Sequence, residues 1–312
     1  MCYSAMVWQS YTRYVSAFGA ELSIKDFVRI YMQRDSGQKI AIPRAMDEAF
    51  ARPRSAEEFE ILSCINRFRT RAGEEAAAEL AEQTARLAGA QQRLALKETK
   101  KDRNEIRIAS NKISKARFDL EDLARRESMP RDSRIFPQYF APVLVSDGGR
   151  RIVRPMRYLL RPAGFPASFD RTNSGSFNAR RDNLQRFWRG QFSHTHCVVA
   201  AQKFYEWVER AGADGSMRKV EIEFDPEGLD TMYAAGLWSR WHGPDGEILD
   251  SFALVTDEPP AEVLAAGHDR CIVPLRLENI DAWLNPTPGD YAPLQAILDD
   301  RERPFYEHRE AA

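Results

Sequence analysis

The chain has 312 residues, of which 43% are hydrophobic and 29% are charged, and its formal net charge is −1 at pH 7. This composition predicts an ordinary soluble protein with core for one large domain or two modest ones. No apolar stretch approaches the roughly 18 to 20 residues of a membrane span, and the N-terminus lacks the basic and apolar blocks of a leader, so we expect a cytoplasmic protein without a membrane partner.

The first 45 residues contain one clear helical pattern. It is SIKDFVRIYMQR, in which Ser23 is placed to cap the helix and Phe27, Ile30 and Tyr31 fall on one face. From about residue 46 to 128 the composition becomes that of long helices, with no proline between Pro53 and Pro130.

Two heptad-like seams run through this helical segment. They are Leu80, Gln83, Leu87, Ala90 and Leu94, and then Ile106, Ala109, Ile113, Ala116, Leu120 and Leu123. The seams are out of phase across KETKKDRNE (97–105), which predicts an antiparallel helical hairpin, with one long stuttered helix as the alternative. Such an arm could bind a protein partner or mediate self-association, or it could be a packed accessory layer, which is the interpretation we favour because heptad seams pack against each other.

Short β-type runs follow Pro130. They are APVLV, RIVRPMRYLL, HCVVAA, KFYEWVE, KVEIEF, MYAAGLW, ILDSFALVT and CIVPL, and helical patterns return at PPAEVLAAG, NIDAWL and APLQAILDD. We therefore predict an α+β fold with a mostly antiparallel sheet or partly closed β-barrel and flanking helices. Residues 1–45 and 130–312 would form one catalytic domain, interrupted by a helical arm at 46–129.

Positive charge is concentrated between residues 150 and 189, which contain ten arginines and only two acidic residues, Asp170 and Asp182. Aromatic residues are interleaved with these arginines, a mixture that is typical of surfaces that bind phosphates and stack unpaired bases. A solvated basic face, balanced by acidic neighbouring segments, explains the composition equally well.

Two residues could supply a nucleophile and a proton carrier. Cys2 follows the initiator methionine, and loss of Met1 would give it a free α-amine beside its thiol, although Met-Cys starts also occur by chance. Glu206 in KFYEW shares its strand face with Phe204 and Val208, and a carboxyl in apolar company can act as a general acid or base. Pairing with an arginine is the simpler interpretation of Glu206.

Two further polar residues lie in predicted loops. His268 opens the apolar run of HDRCIVPL, where a histidine is more often structural than catalytic, and Asn178 lies in FNARRDN, where turn formation is the simpler role. His194, His196 and Cys197 in HTHC would not share one strand face, and no second cluster has zinc spacing. We therefore expect no metal site and no cofactor.

Several short motifs occur in an order that resembles the SRAP family, the SOS-response-associated peptidases that act as covalent sensors of abasic sites in single-stranded DNA. They are MC at the start, FNARRDN, KFYEW, AGLW, FALVT, HDRCIVPL and AWLNP, within residues 1 to about 20 and about 135 to 286. The resemblance implies a thiazolidine crosslink between Cys2 and the abasic-site aldehyde. It also implies lyase-like reversal and autoproteolytic removal of Met1.

The same resemblance assigns roles to the other candidates. Asn178 would hold the linkage or Cys2, Glu206 would shuttle protons, and His268 would stabilise the sugar hydroxyl or assist proton transfer. The implied partner is single-stranded DNA with abasic sites, bound at the nucleoid, and the implied setting is DNA repair in the SOS response. The residues expected to contact DNA are Arg157, Tyr158, Arg161, Arg180, Arg181 and Arg13.

The chain also departs from the family pattern. Tyr-Ser-Ala follows Cys2 where Gly-Arg is usual, so a basic contact would be displaced, for which Arg13 is the candidate. The helical arm is not part of the common core. Two other functions therefore stay open, namely a thiol-dependent peptidase acting on protein, and a non-catalytic protein that binds nucleic acid or a partner through the arm.

Overall fold

The computed structural model describes residues 3–212 and 215–311. Its helices are α1 (Tyr11–Phe18), α2 (Ile24–Asp35), α3 (Arg44–Glu48), α4 (Ala56–Leu96), α5 (Lys100–Ala124), α6 (Phe169–Thr172), α7 (Ala261–Ala265), α8 (Ile280–Leu284) and α9 (Ala292–Asp299). Its strands are β1 (Ser4–Val7), β2 (Glu21–Leu22), β3 (Arg134–Ile135), β4 (Phe140–Asp147), β5 (Arg150–Tyr158), β6 (Asn178–Arg180), β7 (His196–Ala211), β8 (Met217–Pro226), β9 (Met232–His242), β10 (Ile248–Asp257), β11 (Cys271–Ile272), β12 (Pro274–Leu275) and β13 (Tyr306–Glu310).

The strands form one mostly antiparallel sheet that partly closes on itself. Strand β7 pairs with both β4 and β9, β9 pairs with β10, and β4 pairs with β5. A short parallel pairing of Ser251 with Arg157 and of Phe252 with Tyr158 joins β10 to β5 and completes the ring. The predicted α+β class with a partly closed barrel is therefore confirmed.

Two apolar clusters occupy opposite faces of the strands, as the alternation of side chains along a strand requires. One cluster joins the barrel to the helices and includes Phe27, Tyr31, Trp188 and Trp283. The other consists mostly of strand residues, with Tyr158, Phe204 and Phe252 among them. Candidate site residues on β7 thus share their face with the second cluster.

The expected helical hairpin is present, and the alternative of one stuttered helix is wrong. The chain reverses between Leu96 and Lys100, and Thr99 caps α5 by accepting a hydrogen bond from the backbone of Asp102 at 3.1 Å. The buried residues of the hairpin include Gln83, Ala90, Ala109, Ile113 and Ala116, all of which belong to the predicted seams.

The base of the hairpin packs into the body of the protein. Ile61, Cys64 and Ile65 of α4 belong to the same apolar cluster as Phe27 and Tyr31 of α2. The division into a catalytic domain and an inserted arm stays a prediction. No helix in the described ranges combines the length and apolar character needed to cross a membrane.

Two strand predictions need correction. The run CIVPL forms two short strands, β11 and β12, which pair with β10 and β9 respectively. The runs HCVVAA and KFYEWVE are parts of a single 16-residue strand, β7, rather than two strands. Polar Gln202 and Lys203 separate the two apolar runs, but β9 pairs with β7 up to Ala201 and Met6 of β1 pairs with Lys203, so the backbone stays extended. Tertiary pairing therefore overrides the local sequence signal.

Candidate functional site

Glu206 lies inside the protein, on the face of β7 that also carries Phe204 and Val208. Its exposed fraction is 2%, although it is a charged residue type that is seldom fully buried. Burial raises the pKa of the Glu206 carboxyl above its ordinary value, and a hydrogen bond with His268 offsets part of this rise. The residue therefore keeps its proton to a higher pH than an exposed glutamate does.

His268 is the direct partner of this carboxyl. Its Nε2 atom lies 3.2 Å from Oε2 of Glu206. The histidine follows Gly267, whose φ of 99° lets the chain turn sharply after α7 and bring the imidazole against β7. The structure thus brings together two residues that are far apart in the sequence.

The second ring nitrogen of His268 is held by the backbone of Arg270. Nδ1 lies 2.9 Å from the carbonyl oxygen and 3.3 Å from the amide nitrogen of Arg270. If Nδ1 accepts from the amide, Nε2 carries a proton toward Glu206. If Nδ1 donates to the carbonyl, the contact between Nε2 and Glu206 needs a further proton. In both arrangements one proton lies between the imidazole and the carboxyl.

The N-terminal strand runs directly beside Glu206. In the antiparallel pairing of β1 with β7, Ser4 lies opposite Tyr205 and Ala5 lies opposite Phe204. The backbone N–H of Tyr3 donates to the Glu206 carboxylate, which lowers the pKa of that carboxyl and so opposes the effect of burial. Cys2 precedes Tyr3 in the sequence and lies outside the described residues. The register of β1 therefore brings the start of the described chain to the buried carboxyl.

Arg134 fixes this strand from the other side. Its guanidinium donates to Oγ of Ser4, with Nε at 3.0 Å and Nη2 at 2.6 Å. It also pairs with Glu221 and lies 3.7 Å from the ring centre of Tyr205. Sequence reasoning missed Arg134. The whole helical segment separates it from Ser4 in the sequence, and no local signal connects the two residues.

Asn178 lies on β6, which pairs in parallel with β10, and its exposed fraction is 6%. It lines a cavity of about 220 Å³ together with Arg180, Asn183, Phe187 and Trp188. The neighbouring Phe177 makes an edge contact with the ring of Tyr3 at 6.5 Å. The N-terminal segment therefore lies between the Asn178 strand and the Glu206 carboxyl.

The loop after His268 also contacts the segment that follows Asn178. The guanidinium of Arg270 lies 4.0 Å from Oδ2 of Asp182, which in turn pairs with Arg180 at 2.6 Å. Strand β11 begins at Cys271, and β10 lies between β11 and β6, since Thr256 pairs with Ile272 on one side and with Arg180 on the other. Three segments distant in sequence therefore converge at one site.

The six residues expected to contact DNA fall into different environments. Arg13 and Arg180 are exposed, and the Arg13 guanidinium lies 4.3 Å from the ring centre of Trp8. Arg181 is half-buried and pairs with Asp257 and Asp299. Arg161 is buried and Arg157 is half-buried, and the two guanidinium groups share the carboxylate of Asp170.

Tyr158 is fully buried, and its ring stacks on Phe252 and meets the edge of Phe177. In this structure the tyrosine therefore belongs to the barrel core, where its ring fills space between strands.

Most of the arginine-rich segment is engaged in ion pairs. Arg150 pairs with Glu21, Arg151 with Asp281, and Arg154 with Asp26 and Asp147. Within residues 3–212 and 215–311, exposed Arg171, Arg186 and Arg189 have no carboxylate within 4 Å. Phe187 between the last two is 48% exposed and borders the cavity beside Asn178. An exposed aromatic ring thus borders the cavity beside Asn178, and two cations without a carboxylate partner, Arg186 and Arg189, flank that ring in the sequence.

The HTHC stretch is structural. His196 accepts from the backbone N–H of Ser193 at Nε2, and its Nδ1 lies 2.8 Å from the carbonyl oxygen of Trp283. Burial lowers the pKa of His196 to about 3, and the contact with Trp283 opposes the shift. In the part of the chain that the structure describes, no three histidine, cysteine or acidic side chains are grouped as metal ligands.

The chain is similar in sequence to a known protein family and to several known proteins. A family model described as SOS response associated peptidase (SRAP) matches residues 92–310. The abasic site processing protein YoqW of Bacillus subtilis (strain 168) is 27% identical over 157 residues, covering 50% of this chain and 67% of that protein. The abasic site processing protein HMCES of Rattus norvegicus is 30% identical over 156 residues, covering 38% of this chain and 43% of that protein.

A crystal structure of a protein from Bacteroides thetaiotaomicron is also similar, with a TM-score of 0.48 and 18% identity over 58% of this chain and 78% of that one. The family model is the more extensive match, since it spans well over half of the sequence and includes Asn178, Glu206 and His268. The chain belongs to the SOS response associated peptidase family.

Proposed function

We propose that this protein processes abasic sites in single-stranded DNA by forming a covalent crosslink through Cys2 after Met1 has been removed. The observation that carries the proposal is the buried pair of Glu206 and His268, 3.2 Å apart, whose carboxylate accepts the backbone N–H of Tyr3. A proton carrier thus lies next to the residue that is bonded to Cys2. The names of the relatives YoqW and HMCES, both abasic site processing proteins, support abasic sites as the substrate.

The reaction begins with the N-terminus. Hydrolysis of the peptide bond between Met1 and Cys2 consumes one water and leaves an α-amine beside the thiol. That amine adds to the aldehyde carbon of the ring-opened abasic sugar, and the product loses one water to give an imine. The thiol then adds across the C=N bond, so that a C–S bond forms and the nitrogen takes the thiol proton. The product is a five-membered thiazolidine.

Glu206 would supply the proton transfers. Loss of water from the first adduct needs an acid to protonate the departing hydroxyl, and ring opening of the sugar needs a proton on the ring oxygen. Because burial raises the pKa of the Glu206 carboxyl, its acid form persists closer to neutral pH than that of an exposed glutamate. His268 would return the proton to the carboxyl or stabilise the freed sugar hydroxyl.

Asn178 and its surroundings would bind the DNA strand. The amide of Asn178 can orient the sugar or the linkage, and exposed Arg180, Arg186 and Arg189 can neutralise flanking phosphates. The half-exposed ring of Phe187 can stack on an unpaired base next to the lesion. Arg157 and Arg161 contribute to this surface through Asp170, which they hold in place, rather than through phosphate contacts.

A denaturing gel tests the proposal. Purified protein is incubated with a single-stranded oligonucleotide carrying one abasic site, and a heat-stable shifted band is expected. Cys2→Ala should abolish the band, and Glu206→Gln should slow its formation by about 10²-fold to 10⁴-fold. Exposed Glu209 lies on the same strand, so Glu209→Gln is the matched control and should react as the wild type does. A shifted band that survives in Cys2→Ala would exclude Cys2 as the nucleophile.

The family name supports a second candidate, a thiol-dependent peptidase that acts on protein. Its minimal form is the removal of Met1, for which intact mass spectrometry of the wild type and of Glu206→Gln is the test. Retention of Met1 only in Glu206→Gln would show that the site performs the cleavage. Cleavage of other proteins without any DNA crosslink would favour the peptidase over the abasic-site function.

A further inference from the structure

The distal end of the helical hairpin carries a localised positive charge that the candidate site does not use. Residues 91–107 contain six basic and three acidic side chains, whereas the stem, 73–90 with 108–124, contains four basic and seven acidic ones. The sign of the charge therefore reverses along a single structural element.

The acidic residues of this distal end are all engaged. Glu98 pairs with Arg103, and Asp102 pairs with Arg93 at 2.9 Å. Glu105 pairs with Arg86 at 3.2 Å and with Arg93 at 3.3 Å. These ion pairs hold the geometry of the turn, and each of its carboxylates is neutralised by an arginine.

Four cations are left over and form the surface that we call the basic tip: Lys97, Lys100, Lys101 and Arg107. All four are exposed, and among the residues the structure describes no carboxylate lies within 4 Å of any of them. The Arg107 guanidinium donates to Oδ1 of Asn104 at 2.9 Å, a contact that leaves its charge uncompensated.

The basic tip stands away from the body of the protein. Among the described residues, Arg71 is the last side chain along α4 that hydrogen-bonds to the body of the protein, and it donates to the carbonyl oxygens of Asp35 and Arg34 at 2.8 and 3.2 Å. Beyond it the ion pairs of α4 run to α5, as between Glu79 and Lys112. At about 1.5 Å per residue, the helix extends roughly 36 Å from Ala72 to Leu96.

We propose that the basic tip is a second contact for the phosphate backbone of DNA, outside the site of Asn178, Glu206 and His268. This inference rests on the proposed DNA-binding function and extends it. Four uncompensated cations at the end of a rigid arm suit a polyanion, and the acidic stem restricts the contact to the end of the arm. The arm lengthens the stretch of strand that the protein holds on one side of a lesion.

Binding of undamaged single-stranded DNA tests this surface without involving the crosslinking chemistry. The affinity for a 30-nucleotide strand is measured by fluorescence anisotropy over a series of salt concentrations. In the tip variant Lys97→Gln/Lys100→Gln/Lys101→Gln, we expect the slope of log affinity against log salt to decrease in magnitude by about 2. We also expect affinity at low salt to fall about tenfold or more.

The stem offers a matched control. Lys112→Gln/Lys115→Gln/Arg117→Gln removes the same charge from exposed positions of α5 nearer the body and should change the slope by less than half as much. The charge-retaining variant Lys97→Arg/Lys100→Arg/Lys101→Arg should bind as the wild type does. Equal losses in the tip and stem variants would show that only net charge matters and would overturn the proposal.

A short substrate separates this proposal from the function on which it rests. A five-nucleotide abasic strand is too short to reach from the candidate site to the basic tip. Even fully extended, at about twice the duplex spacing of roughly 3.4 Å per nucleotide, it is shorter than the arm, which is roughly 36 Å long. The tip variant should therefore crosslink to it at the wild-type rate. Wild-type protein that binds no DNA would refute both proposals, whereas an unchanged salt slope in a tip variant that still crosslinks would refute the basic tip alone.

Discussion

Nε2 of His268 lies 3.2 Å from Oε2 of Glu206, and both side chains are shielded from solvent. A carboxyl and an imidazole at this separation form a hydrogen bond, which opposes the rise that burial causes in the pKa of Glu206. The pair links the loop after α7 to the centre of β7, at the point where the N-terminal strand runs alongside. Its position is the reason for assigning acid–base chemistry to this site.

The first prediction concerns the stability of the Glu206→Gln variant. Because burial raises the folded-state pKa of Glu206, the native state binds this proton more tightly than the unfolded chain does, and ionisation costs stability as pH rises above about 4.5. Glutamine cannot ionise. We therefore expect a higher melting temperature than wild type at pH 8, with the difference shrinking toward pH 4.

Calorimetry at both pH values measures this effect, and Glu209→Gln on the exposed side of the same strand serves as its control. A Glu206→Gln protein that melts below the wild type at pH 8 would show that the ionised carboxylate is stabilised by its partners more than burial destabilises it.

The second prediction concerns His268→Gln. Glutamine keeps a polar group near Glu206 but cannot accept and release a proton, so we expect crosslinking to abasic DNA to slow by about 10²-fold. Affinity for undamaged DNA should not change. Time courses on denaturing gels measure the rate, with exposed His242→Gln as the control. Equal rates in the His268→Gln and wild-type proteins would limit His268 to a structural role.

The third prediction concerns the acid sensitivity of the fold. His196 is buried and its pKa is lowered to about 3, so the unfolded chain binds a proton that the native state rejects between about pH 6.5 and 3. His196 therefore does not lower the free energy of unfolding at pH values above its pKa in the unfolded chain. As the pH falls below that pKa, the free energy of unfolding decreases by about 1.4 kcal/mol per pH unit.

Urea unfolding at pH 4, 5, 6 and 7 measures this slope. His196→Gln should lose stability less steeply over that range, whereas His308→Gln, an exposed histidine on β13, should follow the wild type. Parallel pH profiles for wild type and His196→Gln would show that His196 is not a source of acid sensitivity.

The fourth prediction concerns Arg134, which holds the N-terminal strand through Ser4 and Glu221. Arg134→Ala removes a partly buried ion pair and a contact with the Tyr205 ring, and we expect it to lower the free energy of unfolding by about 1–3 kcal/mol. Arg134→Lys keeps the charge without the forked donor geometry and should recover part of the loss.

Denaturant unfolding gives the stability of these variants, and hydrogen exchange at the amides of β1 reports the strand directly. Faster exchange confined to β1 in Arg134→Ala is the expected pattern. Unchanged protection of β1 would mean that backbone pairing with β7 is sufficient to hold the strand.

The role of Arg134 also bears on a departure of the sequence from the family pattern. Ser4 stands where arginine is usual in the resemblance described above, and Arg13 was the expected substitute. The guanidinium nearest to Ser4 belongs instead to Arg134, while Arg13 lies over Trp8. The sequence could not reveal this, because 130 positions separate Arg134 from Ser4 and only the pairing of β1 with β3 brings them together.

Much of the architecture follows from local sequence. The hairpin seams are regular apolar repeats on two helices that are adjacent in the sequence. The helices bury these residues against each other, so their pairing can be predicted without the rest of the chain. The strands after Pro130 likewise carry the composition of their secondary structure. Local sequence divides β7 into two runs, whereas the strand is continuous because Met6 of β1 pairs with Lys203 between them.

The sequence by itself determined the α+β class, the helical hairpin and the order of motifs that contain Asn178, Glu206 and His268. Only the tertiary structure decided which polar groups meet, which arginines are compensated and which remain free. The physical reason is that secondary structure follows from periodicity over a few residues, whereas burial and ion pairing depend on contacts between distant segments. The buried pair of Glu206 and His268, the neutralised arginines of β5 and the uncompensated cations of the basic tip are all of this second kind.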